Sequence, residues 1–199
     1  MSQVFVSGHK SPDTDSIAAA LSYSYLKRRL GMDAVAVRAG EINKESRFAL
    51  DYFNLEEPIL VTSVERKNPE DEKQKVILVD HNESKQTIDG MDDAEVLEII
   101  DHHRFGDFES ENPIFILVRP VGCVNTVIYG LYKTNHIKPS REIAGIMLSA
   151  IISDTVLFRS PTTTEEDKET AKELAEIAGV DYEAYGMEML KAGADISDY

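Results

Sequence analysis

The feature that most restricts the fold is Val76-Ile77-Leu78-Val79, four consecutive apolar residues with no polar residue alternating between them. A strand with one wet face alternates apolar and polar, so an unbroken run of this kind suits a strand covered on both faces, as in a parallel sheet. Parallel neighbours need long crossover connections, and the rest of the chain supplies them. Val4-Phe5-Val6 ends at Ser7-Gly8, and a helical pattern follows over residues 15–30, stopped by Gly31. Residues 34–37 read as a strand, 44–53 as a helix, 59–62 as a short strand, and 96–100 and 114–118 as further strands. Helices follow at 123–134, 140–152, 165–178 and 182–192, the third of them closed by Gly179. The alternation predicts an α/β fold, a mostly parallel sheet with helices on both faces, in a single domain over residues 1–199. Residues 65–75, from Glu65 to Lys75, are almost wholly polar and read as a solvated surface loop.

Composition narrows the function classes. The chain has 199 residues, 42% of them hydrophobic, and a formal net charge of −15 from 36 acidic against 21 basic side chains. It is long enough for a real core and too apolar for disorder. No run approaches the roughly 18 apolar residues of a membrane span, and residues 1–8 lack the pattern of a signal peptide. One cysteine, Cys123, cannot form an internal disulfide, which suits a reducing compartment, and we expect a cytoplasmic protein. The acidity argues against a nucleic-acid or membrane surface, which needs clustered Lys and Arg. It does not argue against a phosphate substrate, because carboxylates hold cations that in turn hold phosphate.

Ligands of parallel sheets gather at the carboxyl ends of strands, and there the chain is one-sided. After the first strand comes His9-Lys10-Ser11-Pro12-Asp13-Thr14-Asp15, after the second buried run Asp80-His81-Asn82, and after the next Asp101-His102-His103. A fourth apolar segment, 146–152, ends in Ser153-Asp154. Four of the five histidines therefore lie beside aspartates at these ends, and only His136 lies elsewhere. Singly, each has a bland reading: a hydrogen-bonded structural histidine, or a helix cap for Asp13 or Asp15. Together, converging carboxylates repel unless cations neutralise them, and mixed imidazole and carboxylate sets suit divalent transition metals. Six or seven candidate ligands exceed what one ion needs, so two ions are expected. No G-x-x-x-x-G-K-[ST], G-x-G-x-x-G or H-E-x-x-H motif is present. Cys123, at an expected helix start, is either a stabilised thiolate or a small core or capping residue.

In these motifs, Gly8-His9-x-x-Pro12-Asp13-x-Asp15-Ser16, Asp80-His81-Asn82, Asp101-His102-His103 and Ser153-Asp154, the chain resembles the DHH phosphoesterase superfamily, and within it the manganese-dependent (family II) inorganic pyrophosphatases. The likeness extends through Pro120-Val121-Gly122-Cys123, residues 144–154 and the segment from Leu190 to Asp195. It implies an enzyme, an inorganic diphosphatase. Position by position, it implies His9 and Asp13 on one metal, Asp15, His102 and Asp154 on the other, and Asp80 between them. It further implies catalytic roles for His103, as donor to the substrate, and for Asp101, as orienter of the histidine pair, with Asn82 beside the substrate. The cofactors implied are two divalent ions, Mn2+ or else Co2+, activating a bridging water, with Mg2+ accompanying pyrophosphate or phosphate. A homodimer joined by sheet edges is implied as well.

Two departures shape the expectation. The family carries a second, carboxy-terminal domain that supplies Lys and Arg to clamp pyrophosphate, whereas this sequence ends at Asp198-Tyr199. We therefore expect metal binding with weak or no turnover by this chain alone. Some members also carry a nucleotide-binding insert near residues 65–75. Val124-Asn125-Thr126 resembles that subgroup, so the expectation is a relative without the insert and without nucleotide control. Two rivals remain: a DHH phosphodiesterase acting on short oligonucleotides, and a metal-binding module that needs a partner domain in trans.

Overall fold

β1 (Val4–Ser7) leads into α1 (Thr14–Arg29), β2 (Ala34–Arg38) into α2 (Lys44–Tyr52), and the short β3 (Ile59–Leu60) follows. β4 (Lys75–Val79), β5 (Glu95–Asp101) and β6 (Phe115–Val118) come next, then α3 (Val124–Thr134), α4 (Arg141–Thr155), α5 (Glu165–Ala178) and α6 (Tyr182–Gly193). These elements belong to a computed structural model that describes residues 2–194; Asp195 and the end at Asp198-Tyr199 lie outside the described residues. No described helix is long and apolar enough to cross a membrane.

The six strands form one sheet in the order β3-β2-β1-β4-β5-β6, with every pair parallel. Along β4, Val76 and Leu78 pack into one hydrophobic cluster while Ile77 and Val79 pack into another, and all four are at most 1% exposed. The unbroken apolar run is thus buried on both faces, for the reason its pattern suggested.

The two faces are covered differently. From β1 the chain steps through α1 to β2 and through α2 to β3, and from β4 it steps the other way to β5 and β6. Right-handed crossovers put connections running in opposite directions on opposite faces. All six α-helices contribute to the cluster that holds Val6, Ile77, Val79 and Ile100. On the other face lie the connections 80–94 and 102–114, which carry only 3-10 turns (Ser84–Gln86 and Met91–Asp93) and loops; Ile88, Met91, Phe108 and Ile114 pack there. The expected α/β sheet is present, with its α-helices on one face and 3-10 turns on the other.

Three boundaries differ from the expectation in ways that bear on the site. β3 stops at Leu60, because its two residues form an exposed edge with no strand beyond. α4 continues past 152 to Thr155 and ends where Val156 turns left-handed at φ 48°, so Asp154 lies inside the last helical turn. α1 is capped by Asp13, whose carboxylate accepts from Ser16 N, and Asp15 is a helical residue. Residues 65–74 form neither helix nor strand, and Arg66 there pairs with Asp93 at 2.7 Å.

Candidate metal centre

β1 and β4 are neighbours whose following segments leave in opposite directions, and such a switch point opens a crevice at the strand ends. Gly8 lets α1 begin against the end of β1: a Cβ there would stand 2.5 Å from Ser16 Cβ. On the other side, Asp80 leaves β4 in the left-handed region at φ 62°, a conformation that Asp tolerates better than most residues and that aims it out of the strand path.

Asp80 is the hub. One carboxylate oxygen, Oδ1, lies 3.1 Å from His102 Nε2. The other, Oδ2, accepts from Ser16 Oγ at 2.9 Å and lies 3.4 Å from His9 Nε2. His9 Nε2 is in turn 3.5 Å from Asp13 Oδ1. On the far side, His102 Nε2 is 3.4 Å from Asp15 Oδ2 and 3.9 Å from Asp154 Oδ2. Candidate ligand atoms of His9, Asp13 and Asp80 lie within 4.8 Å of one another, as do those of Asp15, Cys123 and Asp154 and those of Asp80, Asp101, His102 and His103. The fold therefore gathers all six residues that the sequence singled out as metal ligands, from the ends of β1, β4 and β5 and from α1 and α4.

The second histidine lies at the rim of the cluster, with Nδ1 3.8 Å from Asp80 Oδ1. His103 is half exposed, and its Nδ1 lies 2.7 Å from Asp101 Oδ1. Asp101 is buried and also accepts from the His102 backbone N–H at 2.8 Å and from Asn82 Nδ2 at 2.7 Å. Asn82 is itself buried; its amide donates to Arg104 O and accepts from Gly106 N. Its polar atoms are thus engaged inside the protein, steadying Asp101 and the 104–106 loop. His81, although adjacent to Asp80, points into the interior with Nδ1 on Val79 O and Nε2 unpartnered, so it is outside the cluster.

The electrostatics of the cluster are set by burial and by its crowded carboxylates. Burial opposes charge on His9, but Asp13 and Asp80 outweigh it and raise its pKa to about 10. His102 also reaches about 10, against its burial, through Asp80 and Asp15. Burial and then the Asp80 charge push Asp15 up to about 7, while burial and then Asp15 push Asp154 up to about 12. The last turn of α4 adds to the discomfort of Asp154, since the negative end of a helix disfavours a carboxylate. Asp80 stays well below the usual carboxylate range despite burial, held there by His102 and His9. Imidazole and carboxylate donors in these sets fit divalent transition-metal ions.

Some participants were not visible in the motifs. Asp15 is wrapped by the start of α3: Cys123 Sγ donates to Oδ1 at 3.0 Å, Asn125 Nδ2 to Oδ1 at 2.6 Å and Val124 N to Oδ2 at 2.9 Å. Cys123 is fully buried at the N-cap of α3, and burial and the Asp15 charge raise its thiol pKa, which favours the small core or capping residue over the stabilised thiolate. Asp167 on α5 anchors this segment, accepting from Gly122 N at 2.8 Å and Thr126 Oγ1 at 2.6 Å. These partners of Asp15 lie 108 to 110 residues away in sequence, and no local spacing signals them.

A parallel α/β sheet with a histidine and aspartate cluster at its switch point defines a class, and residues 3–151 match the DHH family, N-terminal domain: the chain belongs to that family. Among its relatives are proteins of Exiguobacterium sp. and Bacillus licheniformis, each named probable manganese-dependent inorganic pyrophosphatase. Each is 55% identical over 197 residues, covering 99% of this chain and 62% of the relative. A solved structure titled as that of a "putative family II inorganic pyrophosphatase" from Methanococcus jannaschii superposes with a TM-score of 0.85 at 44% identity, over 95% of this chain and 61% of that one. The chain thus spans less than two thirds of the length of these relatives.

Proposed function

We propose that this chain is the metal-binding part of a manganese-dependent inorganic pyrophosphatase, which hydrolyses pyrophosphate to two phosphates. One observation carries the reading: the buried Asp80 offers one oxygen towards His9 and the other towards His102, so a single carboxylate serves two adjacent donor sets. His9, Asp13 and Asp80 hold one divalent ion, and Asp15, Asp80, His102 and Asp154 hold the second. Divalent ions held by these residues would supply Lewis acidity for activating a water and positive charge for the phosphate oxygens. Manganese follows the names of the relatives; cobalt suits the same donors, and magnesium accompanies the substrate.

The residues around the ions have separate tasks. Asp101 fixes Nδ1 of His103 and raises its pKa, which leaves the protonated ring free to donate from Nε2 to the departing phosphate. Asn82, engaged with Asp101, serves that histidine and stands behind the substrate. The Cys123–Asn125 segment keeps Asp15 directed at the second ion. Cationic clamping of the phosphates is worth about 10³–10⁵ in rate in phosphoryl transfer, and in this reading it comes from outside the present 199 residues. The chain alone then turns over weakly or not at all. The reading includes a cytoplasmic location and no nucleic-acid or membrane partner. It also includes a homodimer through β6, whose edge exposes Phe115 at 48% and Ile116 at 43%.

The test is a comparison with manganese present: phosphate release from pyrophosphate against mononucleotide release from a dinucleotide. The chain is assayed alone and joined to the remaining segment of a relative. We expect pyrophosphate hydrolysis in the joined protein, with the chain alone slower by about 10³-fold or more. Dinucleotide cleavage exceeding pyrophosphate hydrolysis would contradict the reading.

A further inference from the structure

The candidate ligands sit on helices that approach from different directions. Asp13 and Asp15 flank Thr14 at the start of α1, and Asp154 follows Ser153 at the end of α4. The carboxylates themselves repel, so their spacing has to be set from outside the cluster. Glu45, in the first turn of α2, stands between the two helix ends. Its Oε1 accepts from Thr14 Oγ1 and from Ser153 Oγ, each at 2.5 Å. Ser46, the next residue of α2, lies 3.0 Å from the same Thr14 oxygen and donates to it. The partners of Glu45 are 31 and 108 residues distant in sequence, so one oxygen ties α2 both to the start of α1 and to the end of α4.

The far side of Glu45 is covered by the end of α6. A Cβ on Gly193 would stand 2.9 Å from Glu45 Cβ and 3.3 Å from its Oε2. The closing turn of α6 therefore rests directly on the side chain that bridges α1 and α4.

We propose that Glu45 is a positioning residue for the metal cluster: by holding Thr14 and Ser153 on one oxygen it sets the distance between Asp13 and Asp15 on α1 and Asp154 on α4, and it passes movement of the α6 end into that distance. This rests on the reading of those three aspartates as metal ligands. It requires an acceptor at Oε1 and no charge, since both partners are hydroxyls. Gln therefore replaces Glu in this role, and Ala does not.

The experiment is a manganese titration of the wild-type chain, Glu45→Gln, Glu45→Ala and Gly193→Ala, read by free-manganese electron paramagnetic resonance, with the visible spectrum of the cobalt form as a second readout. Loss of a direct partner of a metal ligand typically weakens metal affinity by about 10–100-fold; Glu45 holds the neighbours of the ligands, and we expect a fall at the low end, about 10-fold, in Glu45→Ala at the ion nearer Asp154. Glu45→Gln should stay within about 3-fold of wild type, well short of that loss, with the wild-type cobalt spectrum. Gly193→Ala, which touches no ligand, should shift affinity in the direction of Glu45→Ala. Wild-type affinity in Glu45→Ala, or equal losses in the Gln and Ala variants, would overturn the proposal while leaving the metal reading intact. A wild-type chain that bound no manganese would overturn both.

Discussion

At the scale of single residues, the ligand set is unequal in exposure, and this makes its members separable. Asp13 caps α1 and its side chain is 48% exposed, whereas the Asp15 side chain is fully buried. Asp13→Ala should therefore weaken mainly the ion shared with His9 and leave the second titrating as in wild type, measured by equilibrium dialysis. His103→Ala should keep the full metal content, because its Nδ1 is closest to Asp101, at 2.7 Å against 3.8 Å to Asp80, yet lower turnover of an assembled two-part enzyme by about 10²–10⁴-fold. Loss of metal in that variant would mean that the two adjacent histidines exchange roles. His9, Asp13, Asp80 and His102 were legible in the sequence because each lies within a few residues of a strand end, where topology concentrates ligands. The ties of Cys123 and Asn125 to Asp15, and of Asp167 to the segment that carries them, were not, because they form only when α3 and α5 come together with α1.

At the scale of elements, α5 and α4 carry the features that most depend on single side chains. Asp167 is buried and accepts from Gly122 N, Thr126 Oγ1, Thr164 N and Thr164 Oγ1, so one carboxylate caps α5 and also anchors the start of α3. Asp167→Ala removes a cap and strands several buried donors, and should cost roughly 2–4 kcal/mol in urea unfolding. After α4, Val156, Leu157 and Phe158 all have positive φ, at 48°, 52° and 68°, an unusual run for side chains of this bulk. Val156 is 46% exposed, so Val156→Gly gives up little packing while relieving a left-handed β-branched residue. It should be neutral or stabilising by up to about 1 kcal/mol, against the usual cost of a new glycine. The helices were legible from period and caps; a second face covered without α-helices was not. Its connections, 80–94 and 102–114, hold apolar residues such as Ile88, Phe108 and Ile114 without helical spacing, so they bury side chains without forming α-helices.

At the scale of the whole molecule, the charge of −15 acquires a location. Part of it is the aspartate cluster, which in the absence of cations keeps protons on His9 and His102 with pKa values near 10 and on Asp154 with a pKa near 12. The sign of the pH dependence follows. A raised histidine pKa stabilises the fold fully below the unfolded value of 6.5, and that contribution is lost as pH rises through about 10. Asp15, raised from 3.8 to about 7, acts in the same sense at lower pH. The metal-free chain should therefore melt at lower temperature as pH rises above about 6.5, in the presence of chelator, whereas saturating manganese should flatten the slope because the ion displaces those protons. Equal slopes with and without metal, by differential scanning calorimetry, would contradict the cluster as the seat of the effect.

If Asp80 joins two cation sites, the number of ions bound depends on that one carboxylate. Manganese content measured at saturation by mass spectrometry after desalting should be two per chain for wild type and near zero for Asp80→Ala, with circular dichroism showing that the variant is folded. Two ions retained by folded Asp80→Ala, or a single ion in wild type, would contradict the account.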